Sequence, residues 1–382
     1  MPGFDDLTPD QDRILRLPDE GRYLVYGPPG TGKTVVALLR AVAMSQRENV
    51  PQVVMFNRLL RSYCDQVLRK RNLQVEVRTY HAWFCRQYEK LYGGRPPETV
   101  DEGGRPRPYR YDWKKIVNAC AASGNIAQDT TPLLVDEGQD LPRHFYEYIS
   151  LHFPNVMVFA DENQMLDEEE NSTIQVICDQ LGVPEENCCR LKDNMRNTLQ
   201  IARVARHFYA GTAGGVPDLP NRVGANAYLI DYGDLGFFAE RIVRHYRIHP
   251  QFLIAIITAK NDNLDALRNK IEPLCQEHKV AFTCYKSSDN GRINFDRPGI
   301  VLLNLQSMKG LEFDSVLVAD LHGHSVRPNA MEHKMRLYVA SSRPRERLYL
   351  FHDRNQPTPI LNDMPGEDVL CRYSLSKEGA SG

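Results

Sequence analysis

The chain has 382 residues, too many for one ordinary domain and enough for two, each burying its own core. With 42% hydrophobic and 25% charged residues and no apolar run of roughly 18 residues, it has a globular composition and no reading as a membrane protein. A formal charge of −2 excludes a uniformly basic nucleic-acid binder, so any such site must be local, and nine cysteines without a C-x-x-C pair argue for reduced thiols over a disulfide framework. The first residues, Met1 to Asp6, lack the basic and apolar regions of a signal peptide, which leads to the expectation of a cytoplasmic protein.

In chain order, Tyr23 to Tyr26 reads as a strand, Gly27 to Lys33 as a Gly-rich turn, and Thr34 to Met44 as a helix. A strand over Gln52 to Phe56 and a helix from Arg58 follow, then buried-strand runs at Pro132 to Val135 and Asn155 to Ala160. The second half repeats the alternation with a strand over Phe252 to Thr258, a helix over Asp262 to Glu277, and strands over Ile300 to Leu305 and Ser315 to Asp320. Strands alternating with amphipathic helices predict an α/β fold with parallel sheets. Gly- and Pro-rich segments at Gly93 to Pro108 and Gly211 to Asn221 read as an excursion and a loop, and the tail from Asn355 as loosely held.

Gly27-Pro28-Pro29-Gly30-Thr31-Gly32-Lys33-Thr34 has the G-x-x-x-x-G-K-[ST] form of a P-loop between strand and helix. Glycines there let backbone N–H groups approach phosphates, Lys33 reaches the β- and γ-phosphates, and the Thr34 hydroxyl ligates Mg²⁺ at a helix N-terminus. ATP and Mg²⁺ are the expected cofactors. The chemistry also needs a carboxylate at the end of a buried strand, and Leu133-Leu134-Val135-Asp136-Glu137 offers Asp136 for the metal and Glu137 for the attacking water. Around Arg105 to Lys115, the cations Arg107 and Arg110 interleave with Tyr109 and Trp113, a pattern suited to phosphates and stacked bases or, equally, to a solvated basic loop leading into a helix.

The run Val135-Asp136-Glu137-Gly138-Gln139-Asp140 resembles the D-E-x-Q-D motif of superfamily-one helicases, most like the UvrD/Rep/PcrA group. Leu7 to Gln11 resembles the family's Q motif, making Gln11 the adenine-reading candidate. Phe56-Asn57-Arg58 and Thr79-Tyr80-His81 resemble elements that touch single strands in the family. Phe159 to Gln164 resembles motif III, implying Gln164 as γ-phosphate sensor, and Asn194-Met195-Arg196 resembles motif IV, implying Arg196 as a phosphate-binding arginine. Ser307 to Phe313 resembles motif V, with Gly310 and with Glu312 at the ribose, and Tyr338 to Arg343 resembles motif VI, with Arg343 as arginine finger.

This resemblance, over about Leu7 to Leu350, implies two RecA-like P-loop NTPase lobes with the ATP site in the cleft between them. The expected lobes are residues 1–190, with a reduced insertion at about 83–130, and 191–354, followed by the tail 355–382. The implied activity is ATP-dependent translocation on single-stranded or partly duplex DNA, with helicase activity as its fuller form. The chain departs from the family in ways that favour a motor over an unwinding enzyme. About 55 residues separate His81 from Asp136 and about 110 separate Arg196 from Ser307, too little for the family's large 1B and 2B insertions. Met195 stands where the family stacks a tyrosine on adenine, motif III continues without its base-stacking aromatic, and Gln306 replaces a histidine. After motif VI, Asp353 to Pro357 leaves no room for the family's strand-separating hairpin. A second reading is a regulatory ATPase subunit that gates a protein partner such as a nuclease or a repair or defence complex.

Overall fold

The computed structural model describes residues 6–375 apart from 48, 57, 71–74, 123–127, 165–170, 213, 260, 287–292, 296 and 325–330. The chain divides into two compact units, the first comprising residues 1–27 and 32–191 and the second 192–382 together with the short segment 28–31.

The first unit runs α1 (Pro9–Leu15), β1 (Arg22–Tyr26), α2 (Lys33–Gln46), β2 (Gln52–Met55), α3 (Arg58–Lys70), β3 (Val77–Thr79), α4 (Tyr80–Tyr92), β4 (Glu98–Val100), β5 (Pro106–Tyr111), α5 (Trp113–Ala122), β6 (Leu133–Asp136), α6 (Arg143–His152), β7 (Val156–Ala160), α7 (Ile174–Leu181) and β8 (Cys188–Arg190). Its six-stranded sheet has the order β3-β2-β6-β7-β1-β8, with every pairing parallel. Alternation along each strand feeds two cores. Leu24, Leu133, Val135, Val156 and Val158 face one, while Tyr23, Val25, Leu134, Met157 and Phe159 face the other. A sheet buried on both faces explains why these strands read as continuous apolar runs.

The second unit runs α8 (Leu199–His207), β9 (Ala227–Tyr232), α9 (Leu235–Ile248), β10 (Leu253–Thr258), α10 (Asn261–Glu277), β11 (Phe282–Cys284), β12 (Gly299–Asn304), β13 (Phe313–Val318), α11 (Leu321–His324), α12 (Met331–Ser341), β14 (Pro344–Asp353) and β15 (Leu370–Ser374). Its seven strands form one parallel sheet of order β11-β12-β10-β13-β14-β9-β15. The protein is therefore α/β with two parallel-sheet units, as the alternation of strands and helices predicts.

One local expectation changes. The tail expected to be loosely held instead supplies, through Leu375, an edge strand: β15 pairs with β9 from Leu370↔Ala227 to Ser374↔Asp231, and Arg354 donates to the Leu375 carbonyl at 2.7 Å. The Gly- and Pro-rich excursion of the first unit contains an antiparallel hairpin of β4 and β5.

Candidate nucleotide and strand-binding site

In a parallel sheet the loops that follow the strand ends form the natural ligand edge. Register fixes which residues share that edge here. Tyr26 pairs with Ala160, and Met55 pairs with both Asp136 and Thr79. Gly27 and Asp161 therefore stand level with each other along the carboxyl edge, and Phe56, Glu137 and Tyr80 stand level with one another one residue step short of them.

The P-loop is built by close approach. A Cβ at Gly27 would lie 2.1 Å from the Leu191 carbonyl oxygen, and one at Gly32 would lie 2.5 Å from the Gln11 amide nitrogen. Gly32 is the N-cap of α2 at φ 80°, the left-handed region that glycine enters without steric cost. Thr31 closes the turn by donating to the Pro28 carbonyl at 2.9 Å. Lys33, buried, donates to the Gly27 carbonyl at 2.7 Å and lies 3.5 Å from Asp161.

Gln11 is positioned by a capping box. Its N–H donates to Thr8 Oγ1 and its Oε1 accepts from the Thr8 N–H, at 3.3 and 3.0 Å. One acceptor lone pair of the expected adenine-reading amide is thus used at the helix start, while Nε2 packs on the P-loop glycine. Arg40 of α2 anchors the other end of α1. Its buried guanidinium donates to the carbonyls of Ile14, Leu15, Leu17 and Pro18 at 3.3, 3.0, 2.9 and 2.6 Å.

The acidic pair ends β6. Asp136 is 1% exposed and accepts a hydrogen bond from Thr34. Burial, and next the neighbouring charge of Glu137, push its carboxyl up to about 7. Its Oδ2 is buried without a hydrogen-bond partner among the described residues, which fits an oxygen reserved for a cation. No cluster of three or more His, Cys, Asp or Glu side chains suited to a metal occurs among the described residues. Mg²⁺ held by Thr34 and Asp136 would take its remaining oxygens from phosphate and water, as this ion commonly does.

Glu137 adopts φ 53°, one of three non-glycine residues with positive φ among those described. Its Oε2 accepts from Gln139 Nε2 at 2.6 Å, and Gln139 Oε1 accepts from the Asp161 N–H at 2.8 Å. Gln139, fully buried, therefore ties the candidate base to the residue beside Lys33. Neither Gln139 nor Asp161 stands out in the sequence as a site residue, although both lie inside motifs II and III. Gln164 ends a short 3-10 turn over Glu162–Gln164, and its side chain and Asn57 lie outside the described residues.

In the second unit, motifs IV, V and VI meet around Glu312. Arg196 donates to Glu312 Oε1 at 2.6 Å and to the Ser342 carbonyl at 3.2 Å. Arg345 grips Glu312 Oε2 through Nε and Nη2 at 3.1 and 2.8 Å. Burial pushes the Glu312 carboxyl up, but the charges of Arg196 and Arg345 outweigh it and bring it down to about 2. The glutamate expected at the ribose is here the anchor of two arginines, and Arg345 was not legible as its partner. Gly310 sits at φ 75° in the motif V loop, Arg343 is 1% exposed, and Met195 is 56% exposed.

Of the strand-contact candidates, Phe56 is 39% exposed, Arg58, Arg107 and Arg110 are exposed, and Thr79 is the N-cap of α4. His81 packs against Tyr109 at a ring separation of 4.7 Å and hydrogen-bonds Tyr111 at 3.2 Å. Trp113 takes a different place from the one its neighbours suggest. It is half-buried against Phe84, Tyr111 and His144, a wall of the core rather than an open stacking face.

No helix among the described residues is long and apolar enough to cross a membrane. No family model and no curated protein matches the chain. Among solved structures it is similar to the C-terminal domain of a possible DNA helicase from Lactobacillus plantarum WCFS1, with TM-score 0.35 and 19% identity over 46% of this chain and 97% of that one. It is also similar to arterivirus nonstructural protein 10, a helicase, with TM-score 0.40 and 14% identity over 95% of this chain and 64% of that one. The chain thus spans under two thirds of the viral protein it matches.

Proposed function

We propose that the protein is an ATP hydrolase of superfamily-one, UvrD-like type that couples Mg²⁺-ATP turnover to movement along single-stranded DNA. The observation that carries this reading is the buried group of Lys33, Asp136 and Glu137 at one sheet edge, with the half-buried Thr34 hydrogen-bonded to Asp136 and an Asp136 oxygen left for a cation. Lys33 exchanges its carbonyl partner for the β- and γ-phosphates, and Gln11 Nε2 serves the base. Thr34 and Asp136 would hold the magnesium, which would supply charge neutralisation to the phosphate oxygens. Glu137, oriented by Gln139, accepts the proton of the attacking water. Arg196 and Arg343 are assigned to the charge that develops on the transferred phosphoryl group, with Gln164 as its sensor.

Translocation without extensive unwinding is the favoured form. One hairpin and the ten-residue α5 are the regular elements between α4 and β6, so the first unit carries no large inserted subdomain among its described residues. The same observation supports the second reading, a regulatory ATPase that gates a partner such as a nuclease. Phosphate release measured with and without single-stranded DNA tests the proposal. We expect stimulated hydrolysis that Glu137→Gln abolishes while ATP binding persists. Wild-type turnover in Glu137→Gln refutes the assignment of the base, and hydrolysis indifferent to nucleic acid refutes the motor.

A further inference from the structure

The β4–β5 hairpin is irregular in a specific way. Glu98 pairs with Tyr111 and Val100 with Pro106, so two residue steps on β4 face five on β5. The surplus is extruded as a bulge, a device that re-aims side chains away from the ladder. Tyr109 lies on it at φ 66°, a costly conformation for an aromatic residue, and its N–H is held by Glu98 Oε1 at 2.7 Å. The result is a residue that is 51% exposed while its ring packs on His81, at 4.7 Å and 38° between planes. Beneath it, His81 is fixed by Tyr111, which is 7% exposed and wedged against Phe84 and Tyr80. Burial, and next the charge of Arg58, lower the His81 pKa to about 4, so the lower ring is a neutral stacking surface.

Charge around the ring has one sign on β5: Arg107 and Arg110 lie between Pro106 and Tyr111 with no acidic residue among them. The Arg107 guanidinium enters no ion pair with a described residue. Arg58, exposed at the start of α3, approaches from the adjacent strand end. An exposed aromatic face with a rigid backing and flanking guanidiniums suits a polyanion whose monomers each offer a flat ring. A duplex hides those ring faces in its stack.

We propose that the bulge of the β4–β5 hairpin is a base-stacking platform for single-stranded nucleic acid, with Tyr109 backed by His81 meeting a base and Arg107 and Arg58 meeting phosphates. It rests on the reading of the chain as a nucleic-acid motor and deepens it. Glu98 is the positioning residue that holds the ring's backbone in its strained state. No large aromatic is then needed from motif III, because the hairpin supplies one beside the Thr79–His81 element.

Binding of a fluorescein-labelled twenty-nucleotide oligothymidylate to the full chain, followed by anisotropy across a salt series, tests the platform. Tyr109→Ala weakens binding by about 5- to 150-fold, the range for one stacked base, and leaves the salt slope unchanged because stacking releases no counterions. Tyr109→Phe and Tyr109→Trp retain the affinity, and Tyr109→Trp adds fluorescence quenching on binding. Arg107→Ala instead lowers the log–log salt slope by about 0.7. Glu98→Ala weakens binding and Glu98→Gln, which keeps the acceptor, restores it. Wild-type affinity in Tyr109→Ala, a loss that Phe and Trp do not recover, or equal dependence on Tyr109 for duplex DNA overturns the platform while the motor reading stands. Failure of the wild-type chain to bind the oligonucleotide overturns both.

Discussion

Replacing Gln139 by methionine separates positioning of the base from the base itself. Gln139 is fully buried and spends its amide on two groups, the Glu137 carboxylate at 2.6 Å and the Asp161 N–H at 2.8 Å. A thioether of similar volume keeps the packing and removes both hydrogen bonds. A buried polar group left without a partner costs about 1–3 kcal/mol, so the variant should lose about 2–6 kcal/mol in urea denaturation, a large share of an ordinary domain's stability. The catalytic effect follows from geometry: Glu137 loses the bond that fixes its carboxylate. Misplacement by about 1 Å costs turnover about 10²-fold. Because the effect acts through the base, it should vanish where the base is absent. In a Glu137→Gln background, Gln139→Met should change residual hydrolysis by less than about twofold, the non-additivity of residues acting as one unit. Steady-state phosphate release from the four proteins of this cycle, each assayed well below its melting temperature, gives the answer. Multiplicative losses, with Gln139→Met costing the same factor in both backgrounds, would refute the positioning role.

Arg343→Ala should bind ATP almost normally and hydrolyse it about 10³-fold more slowly, as loss of an arginine finger does; an unchanged single-turnover rate removes Arg343 from the reaction. Arg40→Met strips four carbonyls at the end of α1 of their donor and should cost at least about 3 kcal/mol, with weaker ATP binding because α1 carries Gln11; calorimetric melting with nucleotide titration reads both. Burial, the largest cause in each case, holds His81 and His245 at about 4, below the ordinary 6.5, so the unfolded chain binds more protons than the folded one between those values. Their stabilisation is complete above about pH 6.5 and falls as pH drops toward 4, by at most about 1.4 kcal/mol per pH unit for each ring; urea midpoints at pH 7.5, 6 and 5 should fall in that order, and His245→Gln should flatten the trend.

The strands that were legible in the sequence, such as β1, β6, β7, β10 and β12, are those buried on both faces, where the apolar run is unbroken. β3, β8 and β11 have three residues each, too few to show any period. β14 opens with Pro344, Arg345 and Glu346, and β15 exposes Arg372 and Tyr373 along the sheet's rim, so charge and exposure hide both. Lys33, Thr34, Asp136 and Glu137 stand out in the sequence because the phosphate and metal chemistry proposed for them asks for those groups at that spacing. Gln139, Asp161 and Arg345 act by holding other side chains, and an amide or a paired guanidinium carries no such demand. Trp113 misleads for a related reason. Cations and rings interleave from Arg105 to Lys115, but only the bulge decides which ring turns outward, and it turns out Tyr109 while Tyr111 and Trp113 pack inward.

The sheet order of the first unit has a mechanical consequence. β2 lies between β3 and β6, and Met55 at its end pairs with Thr79 on one side and Asp136 on the other. Neighbouring strands lie about 4.8 Å apart, so the Thr79–His81 element and the acidic pair are about two spacings, roughly 10 Å, from each other across a single strand end. That end, Phe56, is exposed rather than locked in the core. On the other side of β6, β7 and β1 bring Asp161 and Gly27 to the same edge, and Gln139 ties Glu137 to Asp161. Under the proposed function, a strand held at Phe56 and His81 would stand one strand of the sheet away from the carboxylates, and a close-packed interior transmits strain.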